Sequence, residues 1–223
     1  LVYHKVDPKP ELGLSCIDPK TFEKQIDFLI SEGFQLVTLS QLDTVSEDSD
    51  KRIAICFDDG YKNVIDYAYP ILKKYSAVAT VFIITDFIGR ENTWDVNLGG
   101  IHYEHLDEEN IQKLIDAGWE IGSHALSHRS LRGMGEPELN HQLSHSKRML
   151  EQMFSKPVNF FTPPFGSVSP RLLSAVQQHG YRKVCGFFPI KYYKKVVPKG
   201  MILRLAVYRL DSLKSVERKL SDD

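Results

Sequence analysis

Ile53-Ala54-Ile55-Cys56-Phe57-Asp58-Asp59-Gly60 runs an apolar segment, β-branched at alternate positions, straight into two adjacent carboxylates and a glycine. The apolar part has the pattern of a short buried strand, predicted over 52–57, and Gly60 permits the sharp turn that ends it. Two acids at the mouth of a buried strand repel each other and lose solvation. Either they face water in a plain strand-end turn, or their cost is offset. A metal ion would offset it, as would a division into one ligand and one base.

Outward from that strand, the chain alternates between the two regular periods. A first strand is expected over Leu1–Val6, followed by a loop with Pro8 and Pro10. Asp18 and Pro19 open a helix over 19–31, and Gly33 lies just past its end. A strand over 35–39, a brief helix over 41–45 and a polar connector precede the acidic motif. After it come a helix over 62–74, a strand over 77–84 and a long loop, about 86–105, holding Trp94, Asp95 and Gly99-Gly100. Long loops in compact domains are often functional. A helix over 107–117 with Asp107 as N-cap leads to a strand over 119–122 and then to Ser123-His124-Ala125-Leu126-Ser127-His128. The helix over 136–154 is expected to bury Leu139, Leu143, Met149, Leu150 and Met153. A strand near 158–161, the turn Thr162-Pro163-Pro164-Phe165-Gly166, a helix over 170–179, strands near 182–187 and 201–208, and an amphipathic helix with Leu210, Leu213, Val216 and Leu220 complete the chain.

Such alternation calls for parallel strands joined by helical crossovers. About seven units in 223 residues predict an α/β fold: a distorted or incomplete (β/α) barrel, slightly short of eight full units. A doubly wound open sheet is the alternative, though no glycine-rich dinucleotide fingerprint is present. One domain spanning residues 1–223 is expected, since no linker or repeat interrupts the pattern.

Composition narrows the function. With 42% hydrophobic and 26% charged residues and a net charge of −1, the chain lacks the basic excess that sequence-independent nucleic-acid binding uses. Cys16, Cys56 and Cys185 are widely spaced, which argues against a disulfide framework and a thiolate zinc site. No apolar run is long enough for a membrane span. The chain opens at Leu1 without a methionine, as removal of a leader would leave it; no signal peptide is visible.

In parallel α/β folds, sites form beyond the carboxyl ends of the strands. Asp58-Asp59, His124/His128 and Pro163–Gly166 all follow predicted strands, so the architecture brings them to one rim. The two histidines are four apart and, on a helical turn, would project to one side. They are either ordinary surface or capping groups among eight histidines, or two ligands that join a carboxylate around a divalent metal. Zinc suits the donors best, with Co, Mn, Ni or Fe also accommodated. The proline-rich turn is stiff, and the first free N–H after it, on Phe165, would suit an oxyanion donor.

Phe57-Asp58-Asp59-Gly60, His124-Ala-Leu-Ser-His128 and Phe161-Thr-Pro-Pro-Phe165-Gly166 resemble, in order, the first three motifs of the polysaccharide deacetylase family, carbohydrate esterase family 4. The opening Tyr3-His4 and the helix after it are similar to the branch acting on bacterial envelope poly-N-acetylglucosamine. The resemblance implies one divalent metal on Asp59, His124 and His128, with Asp58 as general base. It also implies Phe165 N–H and the metal on the developing oxyanion, and hydrolysis of the acetamide on an N-acetylated carbohydrate. It is compatible with the bacterial cytoplasm or the cell envelope and leaves oligomeric state open.

Three departures stand out. Thr162 occupies the place where many members have an arginine that orients the base. The late Asp/Trp motif is not recognisable. Where a Leu-x-His motif usually supplies the general acid, the last strand reads Ile202-Leu203-Arg204-Leu205, and an arginine is a poor proton donor. His4, after the first strand, is the candidate substitute, or else a core histidine. His4, Trp94 and Pro164 are the expected substrate contacts. An amidase of the same fold acting on a non-sugar amide, and a metal-retaining pseudoenzyme that binds glycan, are the competing functions; Asp58 argues against the second.

Overall fold

The computed structural model describes residues 1–9, 11, 13–44, 51–93, 102–187 and 197–221. Seven parallel strands form the central sheet. In spatial order they are β1 (Val2–Tyr3), β6 (Cys56–Phe57), β7 (Thr80–Ile83), β8 (Glu120–Ser123), β9 (Phe160–Phe161), β10 (Lys183–Phe187) and β11 (Met201–Arg204). The remaining strands pair outside it: β2 (Lys5–Val6) with β3 (Cys16–Ile17), and β4 (Gln35–Val37) with β5 (Arg52–Ala54). The sheet curls until its two edges meet. Val2 N donates to Leu205 O at 2.8 Å, and Val207 N donates to Val2 O at 2.8 Å. These two bonds span the seam of a nearly closed barrel, so the open-sheet alternative is excluded.

Two expected strands are broken. The run over 1–6 divides at His4, with β1 in the barrel and β2 beside β3. The run over 52–57 divides at Ile55, β5 pairing outward and β6 inward. A continuous apolar run looks the same whether it stays in one sheet or passes between two, so periodicity could not mark the breaks. The last strand ends at Arg204 rather than 208.

The helices follow their end signals. In α1 (Pro19–Ser31) the Asp18 carboxylate accepts from the Lys20 and Thr21 N–H groups. Asp107 caps α4 (Glu108–Asp116), and Ser169 caps α6 (Pro170–Gln178). Short α2 (Leu39–Asp43) lies two residues earlier than expected, set by a Thr38/Gln41 capping box. The helix predicted over 62–74 is not uniform: a π-helical turn, Val64–Ala68, precedes α3 (Tyr69–Lys74). Pro70 has no N–H to give to the carbonyl four residues back, and the wider turn absorbs the defect. Along α5 (Glu136–Phe154) the buried face carries Leu139, Gln142, Leu143, Ser146, Leu150 and Phe154, while Met149 and Met153 are half-buried. In the C-terminal α7 (Leu213–Leu220), Val216 alone is buried, and Leu210 lies before the helix, exposed.

Directly beneath the acidic motif, Phe57 stacks on Trp119 with centroids 5.7 Å apart and meets Tyr3 and Phe22 at 5.9 Å. This aromatic block fills the barrel under the rim that carries Asp58 and Asp59. Part of the long loop is also structured. Its two ends pair through the bridge Glu91–Glu104, while the bridge Tyr61–His105 and the bonds of His105 and Leu106 to the Asp59 and Gly60 carbonyls hold residues 104–106 against the Asp59-Gly60 turn. Among the described residues no helix is long and apolar enough to cross a membrane.

Candidate metal centre

The turn after β6 separates the two carboxylates into different surroundings. Asp58 N donates to Tyr3 O at 3.0 Å, continuing the β1–β6 pairing, and its side chain is buried. Arg204, at the end of β11, grips it in a fork: Nη1 to Oδ1 at 2.7 Å and Nη2 to Oδ2 at 2.9 Å. The same Nη2 donates to Thr162 Oγ1 at 2.5 Å, and the Thr162 hydroxyl in turn donates to Cys185 O at 3.0 Å. Phe82 and Phe187 lie 4.9 and 4.8 Å from the guanidinium carbon. Burial alone would lower the Arg204 pKa, but the Asp58 charge and its hydrogen bonds outweigh that and raise it. Thr162 is thus the acceptor of an arginine delivered from another strand, and Asp58 is oriented without an arginine in the third motif.

Asp59 turns the other way. Its backbone is left-handed, at φ 69°, and Gly60 follows at φ 66°. A Cβ on Gly60 would stand 3.0 Å from the Ile83 side chain, so glycine suits both the conformation and the space. Asp59 Oδ1 lies 3.1 Å from His124 Nε2 and 3.3 Å from His128 Nε2. Behind it, His105 Nδ1–H donates to the Asp59 carbonyl at 2.9 Å, and Leu106 N donates to Gly60 O at 2.9 Å. Burial would raise the Asp59 pKa, yet the two imidazoles and the His4 charge hold it well below the usual carboxylate range.

His124 leaves β8 with its N–H on Ile83 O. Its Nδ1–H donates to Thr162 O at 2.8 Å, which leaves the Nε2 lone pair directed at the Asp59 side. Burial lowers both imidazoles; at His124 the Asp59 and Asp58 carboxylates overcome it and the net shift is upward, whereas His128 stays depressed. The segment between them is not the helical turn expected from their spacing. Ala125 and His128 have left-handed backbones, at φ 64° and 55°, and the loop doubles back so that the rings meet edge to face at 5.0 Å.

Three buried ligand atoms therefore converge, each within 4.8 Å of the others. Atoms each about 2.1 Å from one cation lie roughly 3.0–3.4 Å apart along a tetrahedral or octahedral edge, the spacing of Asp59 Oδ1 from both imidazole nitrogens. One carboxylate and two neutral imidazoles also form a suitable donor set, so the residues fit a divalent metal.

A cavity of about 200 Å3 opens above these groups. His4, Asp58, Asp59, His124, His128 and Phe165 all line it, together with Ser15, Tyr61 and Phe187, which sequence reasoning missed. His4 is half-buried, and its Nδ1 is buried without a hydrogen bond among the described residues. Phe165 holds a left-handed backbone, at φ 61°; the residue is 71% exposed, and its ring lies 5.0 Å from that of His128. Pro163 lines the cavity; Pro164 is buried at the start of a 3-10 turn and does not. Trp94 lies outside the described residues. The most consequential omission was Arg204 as partner of Asp58. Its signal was a lone cation in the apolar strand Met201–Arg204, facing unpaired acids elsewhere.

A family model described as polysaccharide deacetylase matches residues 46–184. The Bacillus subtilis protein YxkH, named as a polysaccharide deacetylase, is 29% identical over 186 residues, covering 82% of this chain and 61% of that protein. The poly-beta-1,6-N-acetyl-D-glucosamine N-deacetylase of Staphylococcus aureus is 26% identical over 184 residues, covering 77% and 61%. This chain thus spans about three-fifths of the length of these relatives. The solved Streptococcus pyogenes deacetylase PplD superposes with a TM-score of 0.82 at 18% identity, over 99% of this chain and 96% of that one, a likeness of fold.

Proposed function

This chain belongs to the polysaccharide deacetylase family, carbohydrate esterase family 4, and from that premise we propose that it removes N-acetyl groups from an amino-sugar glycan. The observation that carries this reading is the contrast between two adjacent acids. Asp58 is clamped by an arginine and Asp59 faces two imidazoles, although both line one small cavity. That contrast supports a division into a base and a ligand.

Asp59, His124 and His128 would hold the cation, with zinc the preferred ion for this donor set. A divalent cation there would supply Lewis acidity for an amide carbonyl and make water more acidic. Asp58, oriented by Arg204, accepts the proton of the attacking water. The fork leaves each carboxylate oxygen a further lone pair for that purpose. The Phe165 N–H faces the oxygen on which charge develops. His4 delivers a proton to the departing amine, a poor leaving group without one. The cavity is smaller than a typical drug-sized ligand pocket, which suits entry of an acetamido group while the sugar stays at the rim beside the exposed Phe165 ring.

Acetate release from N-acetylated glycans, poly-N-acetylglucosamine among them, tests the reading after chelation and again with Zn, Co, Mn, Ni or Fe restored. Metal-dependent release is expected. His124→Ala and His128→Ala should each lose bound metal and activity together. No acetate with any metal, or unchanged metal content in both variants, overturns it.

A further inference from the structure

The loop from His124 to His128 has left-handed residues at Ala125 and His128 and no helical hydrogen bonds to keep it in shape. Its carbonyls are taken from one side: Thr85 N and Oγ1 donate to Ala125 O, and Asp86 N donates to Leu126 O. Its N–H groups are taken from the other side by one buried side chain. Gln142 Oε1, from α5, accepts from Leu126 N at 3.1 Å and Ser127 N at 3.2 Å, and Gln142 Nε2 donates to Ser127 Oγ at 2.9 Å. A primary amide offers an acceptor and a donor a fixed distance apart, and here both ends are used on consecutive residues of the loop.

The geometry points to Gln142 as a positioning residue for the metal centre: its amide holds the 125–128 backbone in the conformation that turns both imidazoles onto Asp59. This rests on the metal reading above and extends it to a residue that touches neither the cation nor the substrate. Without the amide, the buried Leu126 N–H and the part-buried Ser127 N–H lose their acceptor, and the loop's escape is to relax its left-handed residues. His128 then moves relative to His124, which is itself pinned separately through Thr162 O. The consequence falls on the spacing of the two ligands, and so on metal affinity before overall stability.

Zn2+ affinity of the full chain, measured by competition with a chromophoric chelator, tests this alongside far-UV circular dichroism of the metal-free protein. Gln142→Met keeps the length of the side chain without its donor or acceptor, and should bind Zn2+ ten- to a hundredfold more weakly. Gln142→Glu keeps the acceptor for both N–H groups and should restore most of the affinity. Leu150→Val, two turns along α5, disturbs the buried face of the same helix at a side chain that makes no hydrogen bond to the loop. It should keep native affinity even at a lower Tm. Should Gln142→Met fail to fold, Ser127→Ala removes only the third contact and should cost severalfold. Native affinity in Gln142→Met, or in Ser127→Ala where it replaces it, overturns the proposal, as does equal weakening by Leu150→Val. Wild-type protein that binds no Zn2+ overturns the metal centre itself, a different result from a wild type that binds and a Gln142→Met that binds equally well.

Discussion

Arg204 and Asp58 meet as a two-pronged ion pair, 146 positions apart in the chain and with almost no exposed surface on either side chain. The barrel seam makes the meeting possible. β11 leads into the residues that pair with Val2, and β1 in turn pairs with β6. Removing one partner leaves the other charge buried alone, which typically costs about 3–5 kcal/mol. Arg204→Met should therefore destabilise the protein by that order and slow turnover. Arg204→Lys, which keeps the charge but not the fork, should lose less stability and still fall roughly tenfold or more in kcat. Urea unfolding and steady-state kinetics on both variants check this; a fully active Arg204→Lys would show that orientation of Asp58 does not depend on the fork.

Asp58→Asn should abolish turnover while metal content stays native, because the amide cannot accept the proton from water. The structure adds a second expectation. Arg204 loses its countercharge, so the same variant should also unfold at lower denaturant. Metal analysis separates the roles: loss of the metal instead of the rate would make Asp58 a ligand.

Acid should weaken the metal-free protein through His105. Burial pushes this imidazole down to about 4, against the pull of the Asp59 carbonyl bond, from an ordinary value near 6.5. The folded state then binds the proton less readily than the unfolded chain. The contribution is fully present above pH 6.5 and is lost as pH falls towards 4, amounting to about 3 kcal/mol. His105→Gln keeps an N–H for the carbonyl and should flatten that part of the pH dependence. Denaturant unfolding at pH 7 and pH 4 with a chelator present compares the two; identical losses would place the titration elsewhere.

His4→Gln should slow hydrolysis of an acetamide far more than that of an acetate ester, whose alkoxide needs less help to leave. A packing role for His4 predicts reduced stability with the amide-to-ester rate ratio unchanged. Equal drops on both substrates would remove His4 from the proton transfer and leave solvent as the donor.

Residues within a turn of one another settled much of this protein before any folding. Asp18 and Asp107 cap helices where their spacing placed them, and strand–helix alternation implied the parallel barrel. The acids 58–59 and the histidines 124 and 128 carried the candidate metal triad in short motifs, because each motif lies at the end of its own strand. What only the tertiary structure decided are the partners. Arg204 for Asp58, His105 for the Asp59 carbonyl and Gln142 for the 126–127 N–H groups come from 146, 46 and 15 or 16 residues away. No periodicity or cap relates these pairs; strand order, barrel closure and the packing of α5 bring them together. The His124–His128 loop shows the same division. Four-residue spacing fits a helical turn, but the loop takes left-handed backbone, because its hydrogen bonds are satisfied by residues 85–86 and Gln142 rather than by itself.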